Sequence, residues 1–168
     1  GAMLLLDDAH GTGTLGPRGR GTAELCEVAR EVDVCTGTLG KALGSFGAFV
    51  AGSGALRELL VNVARSFIFT CALPPPQLAA ARAALRIVEA EPWRRTRLQA
   101  LAARLRERLA AHGISTAPSR TQIVPVVIGG NAATMAVCEG LLARGFFTQG
   151  IRHPSVPHGA ARLRVTRI

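Results

Sequence analysis

Val32-Asp33-Val34-Cys35 runs without a break into Thr36-Gly37-Thr38-Leu39-Gly40-Lys41-Ala42-Leu43-Gly44. The first four residues have the composition of a short strand. The stretch from Thr36 onward reads as a loop, in which glycines 37, 40 and 44 let the backbone approach another group closely. Thr36 and Thr38 offer hydroxyls to a phosphate. Lys41 lies among Leu39, Ala42 and Leu43, and desolvation there would favour a neutral, nucleophilic amine. The plainer alternative is a glycine-rich turn with one exposed lysine.

Composition sharpens the interest in Lys41. Lys and Arg total 20, and Lys41 is the only lysine among them. An arginine can neither form a Schiff base nor act as a base near neutral pH, whereas a desolvated lysine can do both. A GC-rich genome accounts for the excess of arginine but not for the place of the one lysine. The net charge of +9 invites a nucleic-acid reading. Against it, the arginines are scattered along helical stretches and aromatic residues are only 4%, so no stacking platform lies beside a basic groove. The charge suits attraction of an anionic substrate instead.

The 168 residues allow one domain or two small ones, and 48% hydrophobic content marks a chain that folds. The longest apolar runs are too short to span a bilayer, and no signal peptide is visible. Gly1-Ala2-Met3 reads equally as an expression scar or as native sequence. Cys26, Cys35, Cys71 and Cys138 have no zinc-type spacing, which predicts no metal site. Their apolar neighbours predict reduced, mostly buried thiols of a cytoplasmic protein.

Working outward from the lysine loop, Ala2 to Leu6 is an apolar run ending in Asp7-Asp8, the pattern of a buried strand whose carboxyl end meets polar chemistry. A glycine-rich loop spans Gly11 to Gly21, and a helix is expected over Thr22 to Arg30. Gly47 to Ala51 reads as a strand and Leu56 to Ala64 as a helix. After Pro74-Pro75-Pro76, a helix runs from Pro76 to Ala90. Trp93 to His112 places Leu98, Leu101, Leu105 and Leu109 on one stripe, and Gly113 suits its C-terminal cap. Ile123 to Ile128, Phe146 to Ile151 and Ala161 to Thr166 read as strands, and Ala132 to Arg144 as a helix. The first part is thus an α/β layer, and the second is β-α-β-β beside a long helix. The boundary is set near Glu91-Pro92.

Two familiar loops are excluded by position. Gly11-Thr12-Gly13-Thr14-Leu15-Gly16 matches G-x-G-x-x-G, but Pro17-Arg18-Gly19-Arg20-Gly21 comes next, where a dinucleotide fingerprint must open a helix. Gly40-Lys41 lacks the P-loop glycine five residues earlier, where Cys35 stands, and the Ser or Thr after the pair, where Ala42 stands. Asp7-Asp8-Ala9-His10 is either an ordinary polar strand end or a carboxylate and imidazole projected at the edge where α/β sheets bind ligands. A carboxylate facing a pyridinium nitrogen keeps it protonated, which makes the ring an electron sink.

Taken in order, Asp7-Asp8-Ala9-His10-Gly11-Thr12-Gly13, Leu15-Gly16-Pro17-Arg18-Gly19-Arg20-Gly21, Gly37 to Gly47, Ala64-Arg65-Ser66-Phe67-Ile68-Phe69-Thr70, Leu73-Pro74-Pro75, Ile151 to Pro157 and Ala161 to Thr166 resemble the α-oxoamine synthase family. These are enzymes that use pyridoxal phosphate (PLP). The similarity runs over nearly the whole chain. It implies an α/β fold: part of an aspartate aminotransferase-like PLP-transferase large domain over 1–91, and a small, truncated C-terminal α+β domain over 92–168. It also implies relatives more than twice this long. In them, the strand at 2–6 has sheet neighbours that this chain does not supply, so here it exposes unpaired edge and apolar surface.

The resemblance assigns roles one residue at a time. Asp7 pairs with the pyridine nitrogen, His10 bonds the ring's phenolic oxygen, and Thr38 contacts the phosphate. Lys41 carries the Schiff base and moves the α-proton. Arg164 holds the amino-acid carboxylate, a task suited to a planar fork of donors. Thr70 reaches the phosphate of a neighbouring subunit in a homodimer. Cys71 stands where relatives often have a hydroxyl, a departure that bears on that contact. The implied reaction is a decarboxylative condensation of an amino acid with an acyl-CoA, L-alanine with pimeloyl-CoA above all. Glycine or serine with another acyl-CoA is the alternative, and a non-catalytic remnant acting as a binding module is the third reading.

Overall fold

The computed structural model describes residues 1–116 and 118–166. The chain divides into two compact units, Gly1–Arg95 and Thr96–Ile168. In the first, β1 (Leu5–Asp7) pairs in parallel with β2 (Val34–Thr38), and β3 (Ala48–Gly52) pairs antiparallel with β2 on the other side. The register sets Asp7 beside Thr36 and Thr38 beside Ala48. The carboxyl ends of β1 and β2 therefore share one edge, and β3 starts from it. Alternation puts Cys35 and Ala51 on one face and Thr36 and Val50 on the other. On the Cys35 face the Phe49 ring covers Gly37 so closely that an added Cβ would meet Cζ at 2.3 Å.

Strand β2 lies two residues further along than the sequence pattern suggested, and Thr36-Gly37-Thr38 belongs to the strand rather than the loop. The ladder to β3 accounts for this, since its hydrogen bonds outweigh the low strand preference of glycine. The helix expected from Thr22 to Arg30 is also corrected: α1 spans only Thr22–Leu25. Glu27 adopts φ 59, Glu27 N–H donates to Glu24 O, and Val28 N–H donates to Ala23 O, which is a Schellman closure without glycine.

Helix α2 (Gly54–Val63) starts at Ser53, whose Oγ accepts the Leu56 N–H at 3.2 Å. A short α3 (Arg65–Ile68) precedes α4 (Pro75–Ala90), whose first turn holds Pro75 and Pro76. Helix α5 spans Trp93–Ala111, and the division between the units falls inside it. In the second unit, β4 (Ile123–Gly129), β6 (Ala161–Thr166) and β5 (Gln149–Ile151) form an antiparallel sheet in the order β4-β6-β5, packed by α6 (Asn131–Leu142). Val124, Thr134, Cys138, Ala161 and Leu163 are among its buried residues.

The first unit buries little. Leu15, Leu43 and Ala81 are its buried apolar residues, while Met3 is 75% exposed, Leu5 62% and Phe69 77%. Strand β1 is therefore not a buried strand among this chain's residues. It has one partner strand, and its other edge and much of its apolar surface are open. The cysteine expectation changes too. Cys138 alone is buried, Cys35 is half-buried, and Cys26 and Cys71 are exposed. An exposed apolar surface of this kind binds partners or dye. The chain in isolation is expected to enhance ANS fluorescence while keeping native-like circular dichroism, and to self-associate with rising concentration in light scattering.

Candidate functional site

The Lys41 loop is closed by hydrogen bonds on both sides. Leu39 N–H donates to Gly47 O at 2.9 Å, Ser45 N–H to Leu39 O at 2.8 Å, and Gly44 N–H to Lys41 O at 3.0 Å. Gly44 at φ 58 and Gly47 at φ 110 take up left-handed geometry that a side chain would strain. The Ser45 hydroxyl donates to Gln77 O at 2.7 Å and so ties the loop to α4. Lys41 itself is exposed. The desolvation expected from its sequence neighbours is not supplied by them, because it is Leu43 that turns inward while Ala42 stays exposed.

Thr38 has a definite job in this closure. Its hydroxyl donates to Gly47 O at 3.1 Å and accepts the Gly40 N–H at 3.1 Å. The hydroxyl proton is thus committed inside the chain, and a phosphate contact from Thr38 requires it to leave Gly47 O.

Across the shared edge, Asp7 ends β1 with its side chain exposed, and its Oδ1 accepts the Ala9 N–H at 3.0 Å. His10 is exposed in the turn just beyond it. The topology brings Asp7, Thr38 and Lys41 to this one edge. Thr70 is exposed and lies beyond α3. Arg164 belongs to the second unit, at the middle strand of its sheet, between Pro125 and Gln149. Its Nη2 donates to Gln149 Oε1 at 2.5 Å, and its buried Nε has no partner among the described residues. Among the described residues no cluster of His, Cys, Asp and Glu is suited to hold a metal ion.

The donor set fits PLP on its chemistry. An accessible carboxylate, Asp7, suits a protonated ring nitrogen, and an accessible amine, Lys41, suits an aldehyde. A cavity of about 640 Å³ in the first unit is a different place. It lies between the glycine-rich loop, α4 and the Cys35–Phe49 face, opposite the face of Thr36. Arg95 donates to Val88 O and Pro17 O there, joining α4 to the loop.

The sequence pattern included Asp8 in the Asp7–His10 motif but gave it no role of its own, and it did not single out Glu24. Asp8 is 2% exposed, and its carboxylate accepts from Thr22 and Thr12. Glu24 clips the glycine-rich loop. Its oxygens accept the Arg18 and Arg20 N–H groups, each at 3.0 Å, and the Arg18 Nε–H at 2.7 Å. A carboxylate a few residues past a run of glycines was the available signal, but the run gives no hint of which amides turn toward it.

Burial alone would raise the Glu24 carboxyl, but the Arg18 guanidinium and the two amides outweigh it and hold it below the ordinary carboxylate range. Glu24 then stabilises the fold fully above that range, and the contribution is lost as pH falls through the lowered value. Glu24→Gln is expected to cost about 1–2 kcal/mol in thermal or urea melts at neutral pH and to cost progressively less in acid. Burial, then the nearby Asp8 and Asp7 charges, push the Cys35 thiol up. Iodoacetamide at neutral pH is therefore expected to label Cys26 and Cys71 well before Cys35, by peptide mass mapping, with Cys35 catching up only in alkali.

Comparison with known proteins bears on these assignments. The family model for aminotransferase class I and II matches residues 1–167. An 8-amino-7-oxononanoate synthase of Anaeromyxobacter dehalogenans (strain 2CP-1 / ATCC BAA-258) is 54% identical over 165 residues, covering 98% of this chain and 42% of that protein. The chain thus spans less than half the length of the curated relatives it matches. Among solved structures, a Sphingomonas wittichii serine palmitoyltransferase superposes with a TM-score of 0.92 at 33% identity, over 99% of this chain and 42% of that one. SPT with PLP internal aldimine gives 0.91 at 32%, over 99% and 42%. An 8-amino-7-oxononanoate synthase from Francisella tularensis gives 0.85 at 29%, over 97% and 48%.

Proposed function

The chain belongs to the aminotransferase class I and II family, and from that premise we propose that it carries the lysine-bearing part of a PLP-dependent acyltransferase of the 8-amino-7-oxononanoate synthase type. The observation that carries the reading is the shared edge of β1 and β2, where Asp7 and the Lys41 loop meet. The substrates are L-alanine and pimeloyl-CoA, and the product belongs to biotin biosynthesis. A proton leaves the alanine Cα, a bond forms between that carbon and the thioester carbonyl carbon, the C–S bond breaks to release CoA, and the alanine carboxyl leaves as CO2 with a proton taking its place at Cα.

Bound PLP supplies an electron sink for the charge left at the α-carbon. This chain's residues supply the rest. Lys41 Nζ would hold the cofactor at its aldehyde carbon and would be the base that takes the proton from the substrate Cα. Asp7 holds a proton at the ring nitrogen, and His10 donates to the phenolic oxygen. The Arg164 guanidinium binds the substrate carboxylate while Gln149 Oε1 steadies it from Nη2. Thr38 serves the phosphate by shaping the Lys41 loop. Thr70 serves the phosphate of a second subunit in a homodimer, with Cys71 beside it. The C-terminal residues from 92 form the small domain of such an enzyme. No helix among the described residues is long and apolar enough to cross a membrane, in keeping with a cytoplasmic enzyme.

A serine- or glycine-using relative is the second reading, favoured by the close superposition on serine palmitoyltransferase. Identity of 54% to the oxononanoate synthase against 33% to the palmitoyltransferase weighs for alanine. A remnant that only binds is the third reading, and it forms no lysine adduct that turns over.

Purified chain mixed with PLP is expected to develop the absorbance of a lysine imine and, after borohydride, to carry the label at Lys41 by peptide mapping. Lys41→Ala is expected to abolish the label. A folded chain of confirmed mass that takes no label at Lys41 sinks the claim that these residues bind the cofactor. In the whole protein that contains this chain, CoA release with L-alanine against glycine and serine decides the amino acid.

A further inference from the structure

We propose that Asp8 is a positioning residue whose buried carboxylate sets the places of Asp7 and His10 by tying the end of β1 to Thr12 and Thr22. The inference rests on the cofactor reading above, since Asp7 and His10 are its assigned ring contacts.

Two adjacent aspartates have opposite surroundings. Asp7 is exposed, and Asp8 is buried to 2% exposure. Carboxylates are seldom buried unless their oxygens are satisfied. Asp8 Oδ1 accepts the Thr22 Oγ1–H at 2.6 Å and the Thr22 N–H at 3.1 Å, while Oδ2 accepts the Thr12 Oγ1–H at 3.2 Å. All three donors are neutral groups, so their work is geometric rather than charge-cancelling. The Thr22 amide opens α1, where Gly21 at the cap position has no side chain to receive it.

The main chain of Asp8 completes the node. Its N–H donates to Thr36 O at 2.8 Å, fixing it to β2, and its carbonyl accepts the Gly11 and Thr12 N–H groups, each at 3.0 Å. His10 therefore sits inside a turn that Asp8 closes from both its backbone and its side chain. Asp7 precedes this node, with no freedom to shift along β1 unless Asp8 shifts too.

Sterics agree with the hydrogen bonds. A Cβ on Gly11 would come within 2.0 Å of Asp8 Oδ1, and one on Gly21 within 1.6 Å of Oδ2. Both glycines sit against the carboxylate, and the loop from 11 to 21 starts and ends on it. A hydrogen-bonding site of this kind, built on the residue next to a ligand-facing group, is how a fold holds such a group to sub-ångström tolerance.

The test compares Asp8→Asn and Thr22→Val with the wild-type chain. Asparagine keeps the shape but turns one acceptor into a donor. Valine keeps the shape and the amide but removes the hydroxyl bond of 2.6 Å. The readouts are circular dichroism for the fold, hydrogen exchange over residues 9–22 for the turn, and the absorbance band and Kd with PLP for the site. Asp8→Asn is expected to keep its secondary structure, exchange faster over 9–22, shift the absorbance band and bind PLP about tenfold more weakly, the scale of one lost hydrogen bond to a charged group. Thr22→Val is expected to show the same pattern with a smaller change.

A lower melting temperature in Asp8→Asn with band and Kd unchanged would make Asp8 structural only and overturn the proposal. Unchanged exchange over 9–22 overturns it as well. Should Asp8→Asn not fold, Thr22→Val decides alone: an unchanged band and Kd overturn the proposal, and the expected shift supports it. A wild-type chain that never forms the lysine adduct overturns the cofactor reading, and this inference with it. A wild type that binds while Asp8→Asn binds equally well overturns this inference alone.

Discussion

The parallel pairing of β1 with β2 is the constraint on which the first unit depends. Parallel strands end at the same edge, so the turn after Asp7 and the loop after Thr38 must emerge side by side. An antiparallel pairing would send the Asp7 turn and the Lys41 loop to opposite ends of the sheet. The ladder is short, three residue pairs from Leu5↔Val34 to Asp7↔Thr36. It is extended one step by the Asp8 N–H on Thr36 O and braced on the other side by five pairs to β3. Everything assigned to the cofactor in this unit, apart from Thr70, stands within a few residues of that edge.

At the edge, the loops that bear the proposed site are held with little buried apolar surface, Leu15 and Leu43 among it. The chain does this with polar groups rather than apolar ones. Thr38 and Ser45 close the Lys41 loop on itself and on α4. Glu24 gathers the amides around Gly19, and Asp8 fastens both ends of the glycine-rich stretch. Each bond is modest by itself. Together they leave Lys41 and Asp7 exposed on fixed backbone, and a reactive amine on such backbone is easier to orient than one on a freely moving loop. The family match and the 54% identity to an oxononanoate synthase accord with this arrangement. The relatives' greater length accords with the open edge and apolar surface of β1.

Local chemistry made much of this legible. Proline at the first turn of α4, the serine cap of α2 and the leucine spacing of α5 act over three or four residues, and each element lies within about two residues of its expected place. Helix α1 did not, because its end depends on Glu27 taking a left-handed conformation that glycine usually takes. The cysteines did not either. Apolar neighbours in sequence predict burial only when the facing surface is covered, and around Cys26 and Cys71 it is not.

The amino-acid sequence alone determined which groups are available. It contains one amine among the basic residues, a carboxylate and imidazole three residues apart, glycines wherever backbone must come close, and motifs whose order places the chain in its family. Those are properties of residue type and spacing, and they survive without coordinates. Only tertiary structure decided which of two neighbouring aspartates faces outward, that the Thr38 proton is spent on Gly47 O, and that Lys41 is exposed while Leu43 turns in. The reason is that hydrogen-bond partners and burial are set by segments distant in sequence. Thr22 and Thr36 lie far along the chain from Asp8, and Gln77 far from Ser45, so no local pattern contains them.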